Sequence, residues 1–283
     1  MTILVFTLII LAGSLLAGFL GSMTGLGGGI VIIPMLSLMF GIDIRYAIGT
    51  SIVAVIATSS GAAVAYVKEG ITNIRLGMFL EIATTTGAVV GALVAVIAPT
   101  HLIAVVFGGI LMFSAVISFM PQKVAVQPRA ESGKRQKWAE ALKLNGSYPD
   151  ARGNRVDYKV RNVAGGFVMM WIAGILSGLL GIGSGALKVL AMDNFMKVPF
   201  KVSTTTSNFM IGVTAATSAV VYFQRGYIDP GLSFPVTLGV LGGAFLGSKL
   251  LSRSKTEKLR IVFAVVIAIL AIEMIYNGLT HRI

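Results

Sequence analysis

The chain has 283 residues, 55% of them hydrophobic and only 12% charged, with a mean hydropathy of +0.88. Soluble domains carry roughly 25% charged residues; at half that density too little polar surface remains to cover a water-soluble globule, so the composition is that of an integral membrane protein. Cysteine is absent and the two histidines, His101 and His281, lie far apart in sequence, which excludes disulfides and argues against haem or a histidine metal site, while the net charge of +12 reads as the positive-inside bias of short loops rather than a nucleic-acid surface.

The first apolar run, 3–23, lacks a basic n-region, because the first positive charge is Arg45. It reads as part of the mature fold rather than as a cleaved signal. The apolar character continues to Phe40. One helix over 3–40 would be roughly 57 Å long at about 1.5 Å per residue, against about 30 Å of hydrocarbon. A break is therefore expected, and GLGGG (25–29) is where the backbone yields most readily. The stretch from this break to Phe40 either crosses as extended glycine backbone plus a short helix or turns back as a re-entrant segment. Further runs fall at 46–66, 74–97 and 101–120, close to the roughly 20 residues a span requires.

The segment 121–161 is polar, with ten Lys and Arg and no apolar core of its own. It reads as a solvated cytoplasmic linker and topology signal. The alternative is docking on anionic membrane lipid, with Trp138 as an interfacial anchor. It lacks the fold and aromatic spacing of a nucleic-acid module.

From residue 162 the first design repeats. At a constant shift of 156 residues, GFLGSMTGLGGGIVI (18–32) lies over GILSGLLGIGSGALK (174–188), Thr50-Ser51 over Thr206-Ser207, Tyr66 over Tyr222 and Gly70 over Gly226. Apolar runs at 162–181, 184–196, 203–223, 231–250 and 259–278 complete the second set. The chain thus divides into a first membrane repeat (1–120), the basic loop (121–161) and a second repeat (162–283). With five crossings per repeat and the loop inside, every Lys and Arg is cytoplasmic except Arg45, Arg225, Arg282 and the intramembrane Lys188. Four crossings would turn the cluster from Lys249 to Arg260 outward, against the positive-inside rule. Five is odd, so the copies are expected to be inverted. The expectation is an all-α protein of about ten spans, in two inverted repeats with glycine-broken helices and both termini outside.

Inverted repeats with discontinuous helices are the architecture of secondary transporters, whose substrate sits near the midplane at the broken ends. The breaks TGLGGG (24–29) and LGIGSG (180–185) each open a short helix, and helix N-termini favour anions. The alternative is that these glycines only let helices pack closely. Lys188 is the one basic residue well inside an apolar run, and a charge at that depth is costly. It lies one turn after Ser184, so its ammonium is expected to reach back towards Gly181–Gly185 and favour an oxyanion. Pairing with a membrane carboxylate is the other reading. The candidate substrate contacts are Gly25, Gly27, Gly28, Gly29, Thr50, Ser51, Gly181, Gly183, Ser184, Gly185, Lys188, Thr206, Ser207 and Asn208. The hydroxyls could equally bond the backbone of their own or neighbouring helices. Glu81 and Asp193 are the candidates for proton coupling, with Glu273 behind them. Asp193, four residues before Lys197, also suits a surface pair. No cofactor, metal site or catalytic set is expected.

At GLGGGIVIIPML (25–36), GTS (49–51), GIGSGALKVLAMD (181–193) and STTTSNF (203–209) the chain resembles the sulfite exporter TauE/SafE family of permeases. The resemblance spans both membrane halves but not the central loop. It implies a permease for sulfur-containing anions such as sulfite and organosulfonates, or for other small carboxylates. One departure is that Ser184 and Lys188 stand where the commoner second motif has glycine and an apolar residue, which puts sulfite itself in doubt as the substrate. A transporter of a cation or neutral solute, using broken-helix carbonyls and membrane carboxylates, is the competing reading.

Overall fold

The computed structural model describes residues 3–24, 29–68, 70–119, 137–149, 155–251 and 256–281. The first half holds α1 (Ile3–Thr24), α2 (Gly29–Pro34) continuing into a π-helical turn (Met35–Met39), α3 (Ile44–Lys68), α4 (Ile74–Ile97) and α5 (Thr100–Phe119). A short helix α6 (Lys137–Ala141) and an antiparallel hairpin, β1 (Gly146–Pro149) and β2 (Arg155–Tyr158), come next. The second half holds α7 (Val163–Leu180), α8 (Gly185–Leu190) with its π-helical turn (Ala191–Phe195), α9 (Phe200–Gln224), α10 (Pro230–Leu251) and α11 (Thr256–Leu279). The 156-residue shift carries α2 onto α8, one π-helical turn onto the other and α3 onto α9, end to end. Among the described residues the fold is all-α apart from that hairpin.

The halves interlock rather than sit side by side. α1 packs on α10, α4 on α7, α5 on α11 and α3 on α9. Glycine makes the closest of these approaches possible. A Cβ at Gly174 or Gly178 of α7 would meet the backbone of Thr84 or Ala88 on α4, and one at Gly18 of α1 would meet that of Val240 on α10. Lipid tails are as apolar as leucine, so close backbone packing is what holds membrane helices together. The outer faces are correspondingly apolar, with Leu16, Ile82, Ile97, Phe234 and Phe245 all more than half exposed. By length and composition, Ile74–Ile97 and Val163–Leu180 suffice to cross a bilayer, and five further described helices hold apolar stretches of 10–17 residues.

The central segment departs from expectation. It was expected to be a solvated linker, yet Ala139, Leu144, Tyr158 and Val160 are buried in one cluster with Leu76, Leu80, Met196 and Val198. These apolar residues are too sparse in sequence to announce a core; the hairpin gathers them, and the ends of the membrane helices supply the rest. Asn73 is the fastening. Its side chain accepts from Leu76 N at 3.0 Å, capping α4, and its Nδ2 donates to Leu144 O at 2.9 Å and to the Tyr158 hydroxyl at 2.7 Å. Burial pushes the Tyr158 phenol up from 10.0 to about 12, against the lowering effect of the Asn73 hydrogen bond. The folded state therefore keeps the proton that the unfolded chain releases first. The stability this contributes is complete below pH 10.0 and is lost as pH rises towards about 12. Limited proteolysis across that window should show the hairpin loosening in the wild type, with a smaller pH dependence in Tyr158→Phe.

His101 and His281 meet, their ring centroids 4.3 Å apart, because the start of α5 lies beside the end of α11. Among the described residues no third histidine, cysteine or carboxylate joins them to make a metal cluster.

Candidate functional site

Three elements from both halves converge on one buried polar cluster. α9 presents Met210, Thr214 and Ser218 on one face at four-residue spacing, all buried. α4 presents Glu81 and Thr84, also buried. α8 contributes Lys188, whose relative exposure is 0%. The Lys188 ammonium donates to Thr214 Oγ1 at 2.6 Å, and the Thr214 hydroxyl reaches Glu81 Oε1 at 2.7 Å. A hydroxyl has one proton and two lone pairs, so Thr214 accepts from lysine and donates to glutamate at once. The same proton has other acceptors in reach, Met210 O at 2.8 Å and Thr84 Oγ1 at 3.3 Å. Glu81 Oε2 is buried with no hydrogen-bond partner among the described residues. Opposite charges thus face each other across one hydroxyl in the buried interior, where either alone would be expensive.

The second helix break lies beside this cluster. α7 ends at Leu180, and Gly181, Gly183 and Ser184 take φ values of +65°, +74° and +44° before α8 begins. Glycine adopts such angles freely; a serine does so only where its surroundings hold it. Ser51 Oγ donates to Gly181 O at 3.0 Å and Ser207 Oγ to Gly185 O at 3.1 Å. The first hydroxyl serves a carbonyl at the end of α7, where helical partners run out, and the second serves one at the start of α8. Ser184 Oγ is buried without a hydrogen-bond partner among the described residues and lines a small cavity with Ile30, Ile110, Ser114, Ile182 and Leu187. That cavity has room for about one water.

The structure brings together only part of the expected set. Gly29, Ser51, Gly181, Gly183, Ser184, Gly185 and Ser207 gather at the break. Lys188 does not line the cavity there; it turns towards Thr214 and Glu81, because α4 and α9 offer it a hydroxyl and a counter-charge. Thr206 Oγ1 accepts from Asn73 N at 3.1 Å and so serves the connection into α4. Thr50 is fully buried with its hydroxyl unpartnered among the described residues, and Asn208 is half-buried. Asp193 sits in the π-helical turn with Lys197 as its electrostatic partner, and Glu273 is exposed on α11. Gly25, Gly27 and Gly28 lie outside the described residues.

Sequence reasoning missed Thr214 and Thr84. Thr214 carried one usable signal: Thr58 stands 156 residues before it, and it continues the face of Ser207 by seven residues. Thr84, in a TTT run on α4, is distinguished only by facing α9.

Residues 10–274 match the family model described as Sulfite exporter TauE/SafE. The chain is 27% identical to a probable membrane transporter protein, YunE, of Bacillus subtilis (strain 168), covering 97% of this chain and 98% of that protein. It is 26% identical to YdhB of the same organism, also a probable membrane transporter protein, over 86% of this chain and 89% of that one. A probable membrane transporter protein of Xylella fastidiosa (strain 9a5c) is 26% identical over 93% and 92% of the two chains. No solved structure matches. The chain belongs to the sulfite exporter TauE/SafE family and is a membrane transporter, not an enzyme.

Proposed function

We propose that this TauE/SafE transporter moves a small oxyanion, sulfite or an organosulfonate first, by alternating access of two inverted five-span halves. The observation that carries the substrate class is Lys188, a fully buried cation one turn beyond a helix break. Several contacts support the inversion. Arg45 at the start of α3 lies over the Tyr227 ring just past the end of α9, while Thr206 near the start of α9 bonds Asn73 just past the end of α3. Each contact sets the start of one of α3 and α9 beside the end of the other, as inverted copies would have it. Ten spans with both termini outside, the 121–161 segment cytoplasmic and Glu81 as the coupling carboxylate complete the reading.

One observation favours a cation or neutral solute instead: Glu81 Oε2, unpartnered among the described residues, beside the hydroxyls of Thr84 and Thr214. The ammonium in the same cluster opposes a cation there. Thermal unfolding of the purified protein, with sulfite, methanesulfonate, chloride and sodium each added, separates the two. A ligand at about 100 times its Kd stabilises the state it binds by about 2.7 kcal/mol. The oxyanions should raise the melting temperature and sodium should not. Stabilisation by sodium alone would overturn the reading.

A further inference from the structure

We infer that Glu81, Thr214 and Lys188 form a single proton-gated anion switch, in which an oxyanion gains the Lys188 ammonium only after a proton has neutralised the Glu81 carboxylate. This rests on the oxyanion reading above and adds how the site is coupled.

The ammonium already has a counter-ion. Lys188 donates to Thr214, which reaches Glu81, so the cluster is electrically balanced while both groups are charged. An oxyanion arriving beside an ionised Glu81 would put a second negative charge into a water-poor interior, where like charges repel strongly. A proton taken up by Glu81 removes that obstacle, and Oε2, which has no partner among the described residues, is free to receive it. The Thr214 hydroxyl is the element with two arrangements. With Glu81 ionised it donates to Oε1; with Glu81 neutral its proton can turn to Met210 O or to the incoming anion. No bond to carbon or sulfur changes. One proton and one monoanion enter together from one side and leave together on the other.

Among the described residues no other charged group shares the cluster. α7, packed on α4, has no titratable side chain. On α4 the remaining charge is Arg75, which is exposed. On α9, Lys201 reaches Pro149 O and the Tyr222 hydroxyl donates to Gly178 O. Asp193, after α8, faces Lys197, and Tyr158 on the hairpin bonds Asn73. The repeat does not duplicate the switch either. At the 156-residue shift, Ile32 stands for Lys188, Thr58 for Thr214 and Thr237 for Glu81. One such pair among the described residues matches one proton per anion. Because α4 belongs to the first half and α8 and α9 to the second, the pair links the two halves.

The test uses full-length protein in liposomes with labelled methanesulfonate, a sulfonate that remains a monoanion across the working pH range. Its pH response therefore reports the protein alone. A pH gradient, acid outside, should drive accumulation, and an internal pH dye should record one proton per anion. Linkage requires that the proton tighten anion binding by the factor by which the anion tightens proton binding, about tenfold in a typical coupled pair. Glu81→Gln should lose at least about tenfold of its proton-driven accumulation, and the methanesulfonate exchange it carries should no longer respond to pH. Thr214→Ser should retain coupling, and Thr214→Val should weaken it. If Glu81→Gln does not fold, the wild-type proton-to-anion ratio decides, one supporting the switch and zero overturning it. Glu81→Gln that accumulates methanesulfonate like wild type under the gradient overturns the switch and leaves the oxyanion reading standing. Wild type that moves neither methanesulfonate nor sulfite overturns that reading and the switch with it.

Discussion

Lys188→Met should be the most damaging single change in the polar core. Methionine keeps the length of the buried stem and removes only the charge, so the loss is electrostatic rather than a cavity. Removing one partner of a buried ion pair typically costs 3–5 kcal/mol, because the other charge stays behind unpaired. Here the orphan is Glu81, left with the hydroxyls of Thr214 and Thr84. A loss of about 3 kcal/mol is expected, the low end of that range, since a stranded carboxylate escapes part of the penalty by taking up a proton. Lys188→Met should also abolish any stabilisation by sulfite or methanesulfonate. The double variant Lys188→Met with Glu81→Gln should recover most of the stability and none of the anion response. Equilibrium unfolding in detergent reads the first effect, and ligand-dependent melting reads the second. Recovery of both in the double variant would show that the pair holds helices together and does not meet the anion.

The second large effect is steric. Gly178→Ala should destabilise by at least about 1–3 kcal/mol, the usual range for overpacking a well-filled core. The added methyl would run into the Ala88 backbone, its Cα 2.9 Å and its carbonyl carbon 2.8 Å away. Backbone cannot move aside as a side-chain tip can, so α4 and α7 must separate along their length. Gly109→Ala is the matched control, with open space at its Cβ. It should be neutral or stabilising by up to about 1 kcal/mol, since alanine is the better helix former. Melting temperatures of the two variants measured side by side should move in opposite directions, or one should fall while the other stays. Equal behaviour would mean that the α4–α7 contact is looser than the structure has it.

Much of the architecture was legible along the chain because its causes are local. Runs of about 20 apolar residues state a length that matches a bilayer, and glycine at 181, 183 and 185 states where a helix has little reason to continue. The shift of 156 residues was visible in side chains alone, and the boundaries of α2 and α3 recur at that shift in α8 and α9. The central segment was not legible. Among its described residues the buried apolar ones, Ala139, Leu144, Tyr158 and Val160, are too scattered to mark one helix or strand face, and their burial depends on Leu76, Met196 and Val198 from distant parts of the chain.

The candidate site divides in the same way. Membrane character, the broken helices and the isolation of a lysine and a glutamate within apolar runs could all be read from residue types and spacing, because each reflects a cost set by the bilayer. Only the folded chain decided which groups meet. The pairing of α4 with α7 and α9 carries Glu81 to Thr214 across 133 residues, and that contact turns Lys188 from the helix break to a carboxylate. Ser51 and Ser207, alike in sequence as ligands or as backbone partners, come within hydrogen-bond reach of the carbonyls of Gly181 and Gly185 only in the folded chain. Hydrogen bonds and charge pairs act over a few ångströms, and which residues come that close is set by how helices pack, not by their order along the chain.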